Sequence, residues 1–413
     1  VTDDAVRAAV AAQAAWMEEL LVDLVHAPTT LGHEDDGQER MAMAWRDCGL
    51  DPVDVPLRRA RLEGARGASP FSWDVEDKRS VVATWEPEAR RDGARSLILN
   101  GHVDVVPADA PQLWTSPPFV ARRDGDWLYG RGAGDMKAGL AAMTGAVRGL
   151  REAGLELAAP VQLQSVVEEE CTGHGALACL LDGHRADACV ITEPHPDHLT
   201  IAQVGVLWFH VDVTGIPAHA AYADRDGFNA IEAAGTVLAA LRALEAELNV
   251  DPPAPYAGHP HPINLNPGVI AGGDWTSTVP AACTLSCRLA CYPGDDPDAL
   301  AARVEAAVAG AADGFQARVR YDGFRCEGCA VDRDEPIVGA LSDAYARVFG
   351  QRPELRATTA TTDARHFVRE GIPAVCFGPR GERIHGIDER VSLQSMHETA
   401  AVLALFIRDW SGA

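Results

Sequence analysis

Five short segments carry side chains that could do chemistry together. In Leu99 to Pro107 an apolar strand presents His102 and Asp104 two residues apart, on one face. A metal-bound imidazole needs an acceptor on its other nitrogen to fix tautomer and orientation, and an aspartate at that spacing can serve. The glycine-rich turn Gly130-Arg131-Gly132-Ala133-Gly134 feeds a helix expected to begin near Met136, with Asp135 at its N-cap. An N-cap aspartate ordinarily accepts backbone N–H groups, but its two oxygens could also bridge two cations. A phosphate loop is excluded there, because GxGxxG is absent and the carboxylate would repel phosphate. Glu168, Glu169 and Glu170 directly follow the apolar strand Val161 to Val167, and acids clustered at a strand end repel one another unless cations neutralise them. Glu193 ends another apolar strand, where open α/β sheets place their ligands. His385 sits in a polar, glycine-containing loop.

Taken singly, these segments read as a core histidine, a helix cap and solvated acids. Together, if one sheet edge gathers them, their types add up to a dinuclear zinc site. Two zinc ions bring four positive charges, and Asp135, Glu170 and Glu193 with one hydroxide balance them. His102 and His385 add one neutral ligand to each metal.

The elements that must position these residues follow from periodicity. Ala5 to Val25 reads as one amphipathic helix, Ser80 to Trp85 and Leu97 to Val106 as buried strands, and Lys137 to Glu152 as a helix. Val161 to Val167 and Ala188 to Thr192 are again strand-like, which makes an α/β layer. After about Ile201 the character changes. Val204 to Gly215 alternates, Phe228 to Leu248 is a long Ala-rich helix, and Cys283 to Cys291, Pro297 to Ala311 and Ala317 to Tyr321 complete a β-α-β-β-α-β pattern. The α/β pattern resumes with a helix near Ile337 to Val348, an apolar segment Ala374 to Phe377 and a last helix near Ser395 to Trp410. The expected organisation is a catalytic unit of residues 1–203 and 324–413 interrupted by an inserted α+β, ferredoxin-like unit of residues 204–323.

A chain of 413 residues exceeds the usual span of one hydrophobic core, in keeping with two units. Its 47% hydrophobic and 23% charged residues are ordinary for a folded globular protein. A formal net charge of -24 argues against nucleic acid and anionic membrane surfaces as partners and favours a small substrate. The first 25 residues form neither a basic leader nor a continuous apolar span, so a cytoplasmic location is expected. The ten cysteines are scattered and expected to be reduced. Cys326 and Cys329 make one CxxC without the second pair or histidines that a structural zinc site requires.

In their order and spacing the five segments resemble the zinc peptidase and deacylase family of acetylornithine deacetylase, succinyl-diaminopimelate desuccinylase and glutamate carboxypeptidase, from about Ala8 to Leu405. The resemblance implies a zinc-peptidase-like catalytic domain, a mixed sheet flanked by helices, with an inserted lid or dimerisation domain. It implies His102, Asp135 and Glu193 on one zinc, and Asp135, Glu170 and His385 on the other, with cobalt or manganese able to substitute. Asp104 would stand behind His102, and Glu169 would be the catalytic base. His219, in Gly215-Ile216-Pro217-Ala218-His219, would reach a neighbouring subunit's active site in a homodimer and stabilise an oxyanion. Asn229, Ser277 and Arg288 look like substrate-binding residues of the lid, with Arg288 gripping a free carboxylate. Ser277 stands where many relatives have asparagine, while Thr362, Asp363 and Arg365 match another segment near the active site. The implied activity is hydrolysis of an amide in a small N-acyl amino acid or short peptide.

Overall fold

The structure is a computed structural model that describes residues 1–412. Its larger sheet has nine strands. In spatial order they are Pro52–Pro56, Arg79–Trp85, Val161–Val166, Leu97–His102, Cys189–Ile191, Ala374–Cys376, His198–Gln203 and Cys329–Ala330, with Glu354–Thr358 also pairing to His198–Gln203. The central pairs are parallel, and antiparallel strands flank them. Strand Leu97–His102 is buried along its whole length, as a parallel centre covered by helices on both faces requires. Because Leu97–His102, Val161–Val166 and Cys189–Ile191 run in parallel, their carboxyl ends open on one edge. His102, the triple acid and Glu193 all follow those ends.

The N-terminal segment departs from the single helix its periodicity suggests. It forms two helices, Asp3–Ala11 and Ala14–His26, broken at Ala12 and Gln13. Both pack on helix Ala138–Glu152, where Gly149 admits Val10 and Gly145 admits Met17. At the break Gln13 donates to Glu152 at 2.6 Å, so the bend lets each segment close on its own glycine.

A second sheet has the order Leu265–Gly272, Ala282–Cys291, Gly205–Thr214, Gln316–Arg320, with Arg325–Cys326 also pairing to Gly205–Thr214. With helices Ala230–Leu248 and Pro297–Ala311 this is the β-α-β-β-α-β arrangement. The helices cover one face over a core that includes Phe209, Val211, Leu241, Leu285, Leu289 and Val304. The chain leaves the larger sheet at Gln203 and enters the second at Gly205. It returns beside the same point, Cys326 pairing with Val206 and Cys329 with Gln203. The CxxC cysteines therefore lie on strands of two different sheets.

A third, four-stranded sheet of two- and three-residue strands, Gly381–Glu382, Arg390–Ser392, Trp127–Tyr129 and Arg122–Asp124, binds the loop after Tyr129 to the loop of His385. Among the described residues, no helix is long and apolar enough to cross a membrane.

Candidate metal centre and active site

His102 ends its strand with the ring buried. Its Nδ1 donates to the backbone carbonyl of Asp104 at 2.9 Å, while the Asp104 carboxylate lies 3.7 Å away. A carbonyl can only accept, so a proton sits on Nδ1, and Nε2 is the nitrogen turned toward Asp135 that a metal would take as its ligand. The Asp104 carboxylate is turned instead to the acidic loop, accepting the backbone N–H groups of Glu169 at 3.3 Å and Glu170 at 3.1 Å. Burial pushes its pKa up to about 7 against the opposing pull of His102.

Asp135 is not a helix N-cap. The helix starts at Ala138, and Asp135 lies outside it with extended backbone, φ -118° and ψ 95°. The cause is Glu389, whose Oε1 accepts from Gly134 N at 2.9 Å and Asp135 N at 3.0 Å and so holds the turn open. Arg131 secures the other carboxylate oxygen at 2.6 Å and reaches the His385 carbonyl at 3.3 Å. Glu389 is fully buried. In the sequence it is one acid in Asp388-Glu389-Arg390, and no spacing signal marks it.

Freed from capping, the two oxygens of Asp135 face two imidazoles. Oδ1 is 3.2 Å from His102 Nε2, and Oδ2 is 3.3 Å from His385 Nε2. Glu193 lies 3.7 Å and Glu169 3.9 Å from His102 Nε2, and Glu170 lies 3.0 Å from His385 Nε2. Ligand atoms of His102, Asp135 and Glu170, and of His102, Glu169 and Glu193, each fall within 4.8 Å of one another. Burial raises Glu169 and Glu193 well above the usual carboxylate range. Burial opposes protonation of His385, but Glu170 and Asp135 outweigh it and lift the ring to about 11. Among the described residues no lysine or arginine pairs with Asp135, Glu169, Glu170 or Glu193. Four clustered carboxylates facing two imidazoles and no permanent cation are a donor set that fits divalent metal.

Glu168 points away from this group. With φ 62° it turns into a buried network in which Lys78 and Trp73 each donate to it at 2.7 Å and Thr172 at 2.8 Å. The turn thus sends one acid of the triplet inward as an anchor and leaves the next two at the centre.

The acids line a cleft of about 900 Å³ whose opposite wall is the bare face of the second sheet, with Trp208, His210, Ser286 and Arg288. Thr362 also lines it. Behind it, buried Arg365 bonds the carbonyls of Thr362 at 2.7 Å and Thr172 at 3.0 Å, tying this wall to the acidic loop, while both Asp363 oxygens are buried without a hydrogen-bond partner. His219, Ser277 and Asn229 do not line this cleft. Asn229 caps helix Ala230–Leu248 through Ile231 N and Glu232 N. His219 accepts from Ala221 N, and the Ser277 carbonyl accepts from Ala220 N, on an exposed surface of the second unit.

Residues 98–409 match Peptidase family M20/M25/M40. The chain is 30% identical over 341 residues to N-formyl-4-amino-5-aminomethyl-2-methylpyrimidine deformylase of Bacillus subtilis, covering 76% of this chain and 79% of the relative. It is 32% identical over 339 residues to succinyl-diaminopimelate desuccinylase of Caulobacter vibrioides, covering 79% and 84%. A di-peptidase structure from Saccharomyces cerevisiae superposes with TM-score 0.81 at 13% identity, covering 99% of this chain and 98% of that one, a likeness of fold. A family match of that length, joined by relatives at such identity over more than two thirds of the chain, means that this protein belongs to peptidase family M20/M25/M40.

Proposed function

We propose that this chain is a two-metal amide hydrolase that removes an acyl group from a small N-acyl amino acid, the reaction class of acetylornithine deacetylase. The family is one of metal-dependent hydrolases acting on amides. The observation that carries the reading is the division of the two Asp135 oxygens between His102 and His385. His102, Asp135 and Glu193 would hold one zinc, and Asp135, Glu170 and His385 the other, with cobalt or manganese accepted by the same N/O donors. A cation pair bound there supplies the positive charge that acidifies water and polarises an amide carbonyl.

The remaining steps fall to the chain's own groups. Glu169, buried beside the centre, takes the proton of the attacking water and returns it to the leaving nitrogen. Asp104 holds Glu169 and Glu170 in register through their backbone N–H groups, and its own carbonyl fixes the His102 tautomer. Arg288 takes the substrate carboxylate. His219 stands away from its own cleft, which supports a homodimer through the second unit in which His219 of one copy stabilises the oxyanion in the other. Ser277 and Asn229 contribute contacts on that same face. A cytoplasmic location is part of this proposal and accords with the strongly acidic composition.

A dipeptidase reading stands second, favoured by the yeast di-peptidase's likeness over nearly the full length. Measured metal stoichiometry with a panel of N-acetyl, N-succinyl and N-formyl amino acids and dipeptides tests both. Cleavage of dipeptides alone would select the second reading, and metal binding without any turnover would leave only a binding role.

A further inference from the structure

The wall of the cleft opposite the acids is an ordered strip of strand residues. In the second sheet Trp208 stands opposite Arg288 and His210 opposite Ser286, while Asn266 flanks Arg288 on its other side. The helices cover the reverse face, so these side chains turn to the cleft. The Trp208 ring is fixed before any ligand arrives. Phe324 meets it edge-on at 5.3 Å, and Gly323 lies so close that a Cβ there would be 2.3 Å from the ring.

Arg288 has no acid partner among the described residues. Its guanidinium, partly buried, reaches only the Thr359 carbonyl, at 3.4 Å. A partly buried cation left without an acid is poised for a ligand that brings the anion. The acids lining the cleft are Asp135, Glu169, Glu170 and Glu193, all of them engaged in the metal centre and its base. No acid is left to receive a substrate ammonium, and no second arginine or lysine lines the cleft to receive a second carboxylate.

We propose that the cleft selects an N-acyl amino acid with one carboxylate and no other charge, whose flat apolar substituent lies along Trp208 beside Arg288. This rests on the amide-hydrolase reading and narrows it away from substrates with a cationic side chain or a dicarboxylic acyl group. A preset aromatic face beside a cation suits an uncharged planar group attached near a carboxylate.

The test uses the metal-loaded protein and four acids, N-acetylphenylalanine, N-acetylalanine, N-acetylornithine and N-succinylphenylalanine, with the carboxamide of N-acetylphenylalanine as a fifth, control compound. The expected order puts N-acetylphenylalanine at least tenfold above each of the others in kcat/KM. Trp208→Ala should remove the advantage of phenylalanine over alanine, and Arg288→Met should remove the preference for N-acetylphenylalanine over its uncharged carboxamide. Equal or faster cleavage of the ornithine or succinyl compound overturns the proposal, as does a Trp208→Ala variant that keeps the phenylalanine preference. If none of the four is cleaved, the reading as an acyl-removing hydrolase fails. Calorimetric binding of the same intact compounds then decides the charge rule: tightest binding of N-acetylphenylalanine upholds it, and any other order overturns it.

Discussion

The backbone N–H of Asp135 donates to Glu389 Oε1 at 3.0 Å, so the residue between the two imidazoles is held by an acid that lies four positions after one of them. Through Arg131 the same carboxylate is tied to the carbonyl of His385. Both halves of the centre therefore share one fastening.

Glu389→Gln would turn an amide N–H₂ toward either Arg131 or the two backbone donors, leaving donor against donor. Outer contacts of this kind are typically worth about 10- to 100-fold in metal affinity. The variant is expected to bind zinc that much more weakly in competition with a chromophoric chelator. Unchanged affinity in folded protein would show that Glu389 serves stability alone.

Glu169→Gln keeps the size of the side chain and removes its basicity. It should retain metal content and thermal stability while kcat falls by about 10²- to 10⁴-fold. Turnover within a few-fold of the parent would remove Glu169 from the role of base.

His219→Ala should lose activity with normal metal content. Because the proposed role is in trans, mixing this variant with Glu169→Gln and allowing subunits to exchange should restore part of the activity, since one site in the hybrid has both residues. A mixture as inactive as its components, in protein shown to exchange, argues that each cleft depends on its own His219.

Glu168 carries a pH signature of the fold. Burial alone would raise its carboxyl, but His174, 3.4 Å away, and Lys78 outweigh burial and hold it at about 2, against 4.5 for the free side chain. A depressed folded-state pKa adds stability above 4.5 that drains away as pH falls from 4.5 toward 2. The contribution near neutrality is about 3 kcal/mol from the size of the shift. Urea unfolding of the parent and Glu168→Gln at pH 7 and pH 3 should show the two converging at the lower pH. A difference that stays constant would contradict this.

The sequence made the ends of the central strands legible because apolar runs that stop at His102, Glu168 and Glu193 can be recognised without neighbours. It also made the β-α-β-β-α-β unit legible, through one strong helical period and alternating strands. Contacts made only in space were hidden. The turn before Ala138 reads as an N-cap, since Glu389 lies more than 250 residues away from the N–H groups it binds. The four-stranded sheet was missed because two- and three-residue strands are too short to show alternation. The split at Gln13 follows from glycines on a different helix, and the partner of His102 proved to be a carbonyl, which every residue carries.

The crossing at Val204 has one more consequence. Every side chain around Asp135 springs from the strand ends and loops of the nine-stranded sheet and its neighbours, whereas Trp208, His210 and Arg288 belong to a sheet with its own core, connected to the first where the chain crosses at Val204 and returns at Cys326 to Cys329. On the proposed function, reactivity and selectivity would thereby be vested in separate hydrophobic nuclei, so that replacements along that strip would redirect which molecule is chosen while leaving the residues that would hold metal undisturbed.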